Sequence, residues 1–267
     1  MDSSGSGKWV LVTGASAGIG EAFAKRFAQE RWNVVLVARS IEKLNLLAET
    51  LKKEFSINAL TIKADLSAPD SCEAVYKQIT SKGIVIEGLI NNAGFGAVGS
   101  FLAIERKRQL EMIDLNVRAL LDLTHLFLPG MLERQNGLII NVSSTASFQA
   151  IPYFITYSAT KAFVTLFTEG LWAEYRKQGI RVMNLCPGST KTNFGVVAGK
   201  KEMVSDWRPN QTAERVVDDA FKAIKKNQPT IVTNFFDNTF RFFERLLPRK
   251  WVLLATQRVA ERMGYRQ

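Results

Sequence analysis

The chain has 267 residues, enough for one large α/β domain or two small ones, and its 46% hydrophobic and 22% charged residues suit a folded globular protein. Its net charge of +10 comes from basic residues dispersed along the chain without a nucleic-acid motif, so no DNA or RNA partner is expected. One histidine, His125, and two distant cysteines, Cys72 and Cys186, leave little for a zinc site, a Ser/His/Asp triad or a disulfide scaffold.

Residues 1–7 are Ser/Gly-rich and lack an apolar centre, so a flexible tail is expected there rather than a signal peptide. No apolar run approaches the ~20 residues of a membrane span. Trp9 to Val12 is apolar and runs into Thr13-Gly14-Ala15-Ser16-Ala17-Gly18-Ile19-Gly20. Ala22, Phe23, Phe27 and Ala28 then recur at helical spacing. The pattern is strand, glycine turn, helix. Glycines allow a tight turn and close approach of a ligand, and the N–H groups at the helix start suit an anion. The spacing is G-x-x-x-G-x-G rather than the G-x-G-x-x-G of many dinucleotide folds.

Asn33 to Ala38 reads as a second buried strand. An acid that would bond a ribose 2′-OH is missing at its end, where Arg39 stands instead. Arg39 is either a solvated surface residue or the partner of a 2′-phosphate. Its position and the missing acid favour the phosphate, and hence NADP(H).

The alternation continues with a helix over Ile41–Phe55, a strand over Ala59–Lys63 closing on Asp65-Leu66, and a helix over Ala68–Ser81. A strand over Ile86–Ile90 then closes on Asn91-Asn92-Ala93-Gly94. Short loops between alternating strands and helices predict a single-domain α/β fold, a Rossmann-type doubly wound parallel sheet of about seven strands with helices on both faces. Ligands bind beyond the carboxyl ends of such strands, where the Gly14 turn, Arg39, Asp65 and Asn92 fall.

Ile104 to Glu133 reads as one long helix containing Asn116, either a solvated or capping residue or one with a task. His125, in the apolar run Leu120–Leu128, is expected in the core or lining a pocket. Gly137 to Val142 is a strand ending at Ser143-Ser144, and Ile180 to Cys186 another, ending at Pro187-Gly188-Ser189-Thr190-Lys191-Thr192. Between them, Tyr157 and Lys161 sit four residues apart in a helical run from Phe154 to Trp172, one turn apart on one face. A surface Tyr with a solvated Lys is the bland alternative. Otherwise the lysine charge favours the phenolate, lowers the tyrosine pKa and makes Tyr157 a general acid/base.

Seven pieces occur in order: T-G-A-S-A-G-I-G at 13–20, D-L at 65–66, N-N-A-G at 91–94, Asn116, S-S at 143–144, Y-S-A-T-K at 157–161 and P-G-S-T-K-T at 187–192. Together they resemble the short-chain dehydrogenase/reductase family over residues 8–233. The resemblance implies that Tyr157 exchanges a proton with the substrate oxygen. Lys161 would tune Tyr157 and hold the cofactor ribose, and Asn116 would hold a relay water. The family serine lies thirteen residues before the tyrosine, which selects Ser144 over Ser143. It further implies that Gly14, Ser16, Ala17, Gly18, Ile19 and Gly20 cradle NADP(H). Arg39 would hold its phosphate, Asp65 and Leu66 the adenine, Asn92, Ala93 and Gly94 the adenosine side. Pro187, Gly188, Thr190 and Thr192 would hold the nicotinamide end.

Phe148, Ile151, Phe154, Phe194 and Val197 suggest an apolar pocket wall, though each suits a core equally. A mobile lid is expected over Gly195–Trp207, and Lys200-Lys201 is either solvated or meets an anionic group. The expected activity is reduction of an apolar ketone or aldehyde by an NADPH-dependent carbonyl reductase. The alternatives are a 3-oxoacyl or hydroxysteroid-type reductase, or a non-catalytic NADP(H)-binding sensor. A helical extension is expected over residues 234–267, which are rich in aromatic and basic residues, among them Phe235, Phe236, Phe240, Phe242, Phe243, Trp251, Arg241, Arg245, Arg249, Lys250, Arg258 and Arg262. It either packs on the pocket or a subunit, or makes peripheral membrane contact. A homodimer or homotetramer joined through the Asn116 and Tyr157 helices is expected, cytoplasmic or, in the alternative, membrane-associated.

Overall fold

Parallel strands covered on both faces read as unbroken apolar runs, and such runs form the sheet of this chain. The structure is a computed structural model that describes residues 7–199, 211–233 and 247–266. Strands β1 Trp9–Thr13, β2 Asn33–Ala38, β3 Ala59–Lys63, β4 Ile86–Asn91, β5 Gly137–Val142, β6 Ile180–Cys186 and β7 Thr230–Val232 are all parallel, in the order β3-β2-β1-β4-β5-β6-β7. The doubly wound sheet is the architecture expected. Periodicity located six of its strands. β7 escaped because three half-buried residues carry no period.

The helices are α1 Gly18–Gln29, α2 Ile41–Phe55, α3 Ser71–Thr80, α4 Arg106–Ile113, α5 Ala119–Glu133, α6 Ile155–Tyr175, α7 Phe194–Val197 and α8 Ala213–Lys225. A C-terminal helix follows at Arg249–Arg262. Alternate strand residues point to opposite faces. Val10, Val12, Val34 and Leu36 pack under Phe23, Phe27, Leu44 and Phe221, from α1, α2 and α8. Leu11, Val35, Val37 and Leu89 pack under Val75, Ile79, Leu123 and Phe127, from α3 and α5. Full burial of each such side chain contributes roughly 1.5–3 kcal/mol.

Three expectations change. Helix α3 starts at Ser71 rather than Ala68, because Asp70 takes a left-handed φ of 57° that no helix can include. The long Asn116 helix is interrupted by a π-turn over Asp114–Arg118 that joins α4 to α5. His125 is exposed on α5 rather than buried or pocket-lining. Residues 1–6, most of the expected lid including Lys200 and Lys201, and the aromatics Phe235, Phe236, Phe240, Phe242 and Phe243 with Arg241 and Arg245 lie outside the described residues.

The chain winds outward from β1 to β3, then returns to β4 on the other side of β1. A crevice therefore opens where the carboxyl ends of β1 and β4 diverge, the place where such sheets bind ligands.

Candidate active site

One cavity of about 830 Å³ runs along these strand ends, from Arg39 and Lys43 to the C-terminal helix. Its first wall is the glycine turn. Gly14 and Gly18 have φ of 64° and 60°, in the left-handed region that side chains other than glycine's resist. A Cβ on Gly20 would drive into the Gly14 carbonyl and the Asn92 amide, so the turn closes only with glycine there. No side chain caps α1 at Ala17, which leaves its first-turn N–H groups to an anion.

Asn92 lines the cavity, but its side chain works inward. Its Nδ2 donates to the carbonyls of Thr13 (2.9 Å) and Gly14 (3.3 Å), while Thr13 Oγ1 accepts the N–H groups of Asn92 and Ala93, each at 3.0 Å. The end of β4 is thereby stapled to the glycine turn. Arg39 is exposed at the rim beside Ser40 and Lys43. Asp65 accepts from Ser67 Oγ (2.6 Å) and Ser67 N–H (3.1 Å), and the Ser67 hydroxyl holds its carboxyl below the usual range. Leu66, Gly94, Pro187, Gly188, Thr190 and Thr192 complete the same wall. A Cβ on Gly18 would come within 3.0 Å of the Thr192 methyl. The β6 loop thus meets the glycine turn across the crevice.

Tyr157, Lys161 and Ser144 meet deeper in the cavity. Lys161 Nζ lies 5.7 Å from the centre of the Tyr157 ring and donates to the Val142 carbonyl at 2.8 Å. Ser144 stands close enough to the Tyr157 phenol to draw its pKa down, and its Oγ accepts the Ala146 N–H at 3.1 Å. Ser143 is buried differently, with its hydroxyl on the Lys161 carbonyl and on Thr165, both at 2.9 Å. The two serines therefore separate, Ser144 on the phenol side and Ser143 in the scaffold.

The electrostatic expectation is corrected. Burial pushes the Tyr157 phenol up, and the Ser144 bond only partly opposes it. Burial also lowers the Lys161 ammonium to about 8. Desolvation is the largest cause of both shifts and disfavours both charged forms. At neutral pH the phenol stays protonated.

The π-turn explains Asn116. Its Oδ1 accepts the Phe95 N–H at 3.1 Å, and its Nδ2 donates to the Phe95 carbonyl at 3.0 Å and to Thr160 Oγ1 at 3.1 Å. The amide ties the loop after β4 to the Tyr157 helix. A Cβ on Gly94 would press on Asn116 Oδ1 at 2.9 Å and touch Lys161 Nζ, so glycine leaves the amide its place. π-turns cluster where a side chain is re-aimed for function.

The far wall is aromatic. Phe154 stacks on Tyr157 at 4.4 Å between ring centres, and Phe194 tilts against it at 5.2 Å. Ile151 and Val197 line the cavity as expected; Phe148 does not. Thr256, Val259, Ala260, Met263 and Tyr265 from the C-terminal segment close the cavity. This is the packing reading of the tail. Only the four-residue spacing of small Thr256 and Ala260 hints at it in the sequence, and Tyr265 was missed. Among the described residues, no group of three or more His, Cys, Asp or Glu could hold a metal.

The family model described as short chain dehydrogenase matches residues 8–202. The very-long-chain 3-oxoacyl-CoA reductase-B of Danio rerio is 36% identical over 203 residues, 74% of this chain and 64% of that protein. The match thus spans less than two thirds of that relative. The 17-beta-hydroxysteroid dehydrogenase type 3 of Rattus norvegicus is 32% identical over 221 residues, 82% of this chain and 69% of that protein. A solved short-chain dehydrogenase from Sphingobium yanoikuyae in complex with NADPH superposes with a TM-score of 0.81 at 29% identity, covering 90% of this chain and 96% of that one.

The depressed Lys161 pKa makes a prediction for stability. The folded chain gives up this proton more readily than the unfolded one, whose lysine titrates near ~10.4. Lys161 therefore contributes stability that grows as pH rises from about 8 and is lost as pH falls back through it. In melting curves from pH 7 to 10, the native chain should gain on Lys161→Met as pH rises. A constant difference across that range refutes the burial account.

Proposed function

The chain belongs to the short-chain dehydrogenase family, and on that premise we propose that it is an NADP(H)-dependent oxidoreductase that reduces the 3-oxo group of long-chain acyl thioesters. One observation carries the chemistry: a protonated phenol, a serine hydroxyl and a buried ammonium meet between a glycine cradle and an apolar wall. The substrate class rests on the 3-oxoacyl-CoA reductase relatives and on the aromatic, apolar far wall. It replaces the broader expectation of a ketone or aldehyde reductase.

The cleft fits the cofactor. A side chain at Gly20 would fill the cradle, α1 offers uncapped N–H groups, and Arg39 with Lys43 stands at the rim where a 2′-phosphate belongs. NADPH, when bound, supplies the hydride. Tyr157 donates its proton to the carbonyl oxygen, and Ser144 holds that oxygen with a hydrogen bond. Lys161 steadies the phenolate this leaves and offers donors to the ribose hydroxyls. Asn116 sets Lys161 through Phe95, Gly94 and Thr160, the geometry that a proton relay from solvent would use. In the reverse direction Tyr157 takes the proton back.

Two further readings concern partners. Leu121, Phe163 and Leu166 are exposed on α5 and α6, which supports a homodimer or homotetramer through those helices. Trp251 and Leu254 face outward beside Lys250 and Arg258, which supports peripheral membrane contact. Light scattering at micromolar protein, and sedimentation with anionic vesicles that salt reverses, test them. A monomer or a lack of vesicle binding removes the corresponding reading.

Tyr157→Phe keeps the ring and removes the proton, so turnover should fall roughly 10²–10⁴-fold with NADPH affinity retained. Ser144→Ala should slow turnover likewise, whereas Ser143→Ala should be mild, because its hydroxyl faces the scaffold. Arg39→Ala should erase roughly ten- to a hundredfold of preference for NADPH over NADH, the worth of a charged hydrogen bond. Steady-state rates beside fluorescence titration of the cofactor decide. Full activity in Tyr157→Phe ends the proton-donor role, and equal use of both cofactors by the native chain ends the Arg39 role.

A further inference from the structure

Tyr157 sits in the first turn of α6, and that turn has no side-chain cap of its own. Helix ends leave N–H groups unbonded and fray, so the placing of the phenol depends on what holds the turn from outside. Two neighbours do so. Thr156 Oγ1 donates to Gln109 Oε1 of α4 at 2.6 Å. The loop before α6 is gripped by the C-terminal helix. Thr256 Oγ1 donates to the Ala150 carbonyl at 3.2 Å, and the Tyr153 hydroxyl donates to Glu261 Oε1 at 3.1 Å.

Tyr153 has a φ of 63°, in the left-handed region that an aromatic residue resists. Strain of this kind persists where the surroundings over-determine it. The Glu261 bond holds the side chain, and the Gly99 N–H on the Tyr153 carbonyl, at 2.9 Å, holds the backbone. The next residue carries the effect to the phenol. Phe154 is buried at the start of α6 and stacks on Tyr157 at 4.4 Å between ring centres. The turn at Tyr153 decides where that ring goes. Tyr265, just after the C-terminal helix, meets the same ring edge-on at 5.8 Å. Neither Tyr153 nor Glu261 lines the cavity, so any effect on the reaction passes through this stack. Glu261 Oε1 also accepts from Gln257 Nε2 at 3.2 Å. Its other neighbour, Arg266 at 3.9 Å, is exposed and contributes little.

We infer that Glu261 is a positioning residue: through Tyr153 it holds the first turn of α6, so that Phe154 sets the Tyr157 phenol at the substrate carbonyl. The inference rests on the proton-donor reading of Tyr157 and deepens it. It gives the C-terminal helix, which lies beyond the family-matched residues 8–202, a part in the chemical step.

Three variants test it. Tyr153→Phe keeps the ring and removes the hydroxyl. Glu261→Ala removes the acceptor, and Glu261→Gln keeps a carbonyl that can accept the same bond. kcat with a long-chain 3-oxoacyl thioester, NADPH affinity and melting temperature are measured for each and for the Tyr153→Phe/Glu261→Ala double variant, well below every melting point. In Tyr153→Phe and Glu261→Ala alike, kcat should fall about tenfold, the scale of a small misplacement at the reacting group. The double variant should lose no more, because the two residues share one bond. Glu261→Gln should keep near-native kcat, and NADPH affinity should hold throughout. Native kcat in Tyr153→Phe, at whatever melting temperature, reduces the contact to packing and overturns this inference alone. So does a loss in Glu261→Gln as large as that in Tyr153→Phe, a comparison that stands even if Glu261→Ala fails to fold. A native chain that oxidises no NADPH with the thioester, or full activity of Tyr157→Phe in the same assay, overturns the proposed function, and this inference with it.

Discussion

A buried ammonium is the constraint on which the site is built. Burying an unpaired charge is so costly that the group must be hydrogen-bonded or give up its proton, and Lys161 does some of each. The last carbonyl of β5, at Val142, accepts from it at 2.8 Å, and its pKa still falls to about 8. The elements around it satisfy that one group or leave room for it. Gly94 has no side chain because one would crowd Asn116 Oδ1, at 2.9 Å, beside Lys161. The π-turn aims Asn116 at Phe95 and Thr160, which fixes the helix bearing Lys161.

Beneath the ammonium lies a polar scaffold. Asn91, Asn141 and Asn184 stand in register across β4, β5 and β6. Asn91 donates to Asn141 (2.9 Å) and to Thr124 on α5 (3.1 Å), Asn141 to Thr168 (3.0 Å) and Asn184 to Thr165 (3.3 Å), both on α6. Ser143 adds its bonds to Thr165 and the Lys161 carbonyl. A buried network that satisfies its donors specifies one arrangement of the groups it ties. Here it sets α6 against the strand ends at one height, and so fixes where Tyr157 and Lys161 stand relative to the glycine turn.

Much of this was legible in the sequence where the signal is local. Unbroken apolar runs gave the parallel strands, the Gly14–Gly20 spacing gave the turn, and four residues between Tyr157 and Lys161 put them on one face. Contacts between distant residues left no such trace. Tyr265 reaches the site from more than a hundred positions after Tyr157, and Asn116 bonds Phe95 and Thr160 across the fold. His125 sits in an apolar stretch yet faces out, because helix phase decides and composition does not. The direction of the Tyr157 shift was misread for a related reason. Spacing shows that a lysine is near but not how deeply the phenol is buried, and burial sets the direction of the shift.

The measurement that bears most directly on this account is the pH dependence of kcat/KM for NADPH-driven reduction between pH 6 and 10. Tyr157 stays loaded throughout the lower range, while the Lys161 ammonium that must steady its phenolate loses a proton near pH 8. The rate should therefore fall as pH rises above about 8. A rate that holds constant until the ordinary phenol range near ~10 would mean that Lys161 is not buried as described, and would contradict the account at its centre.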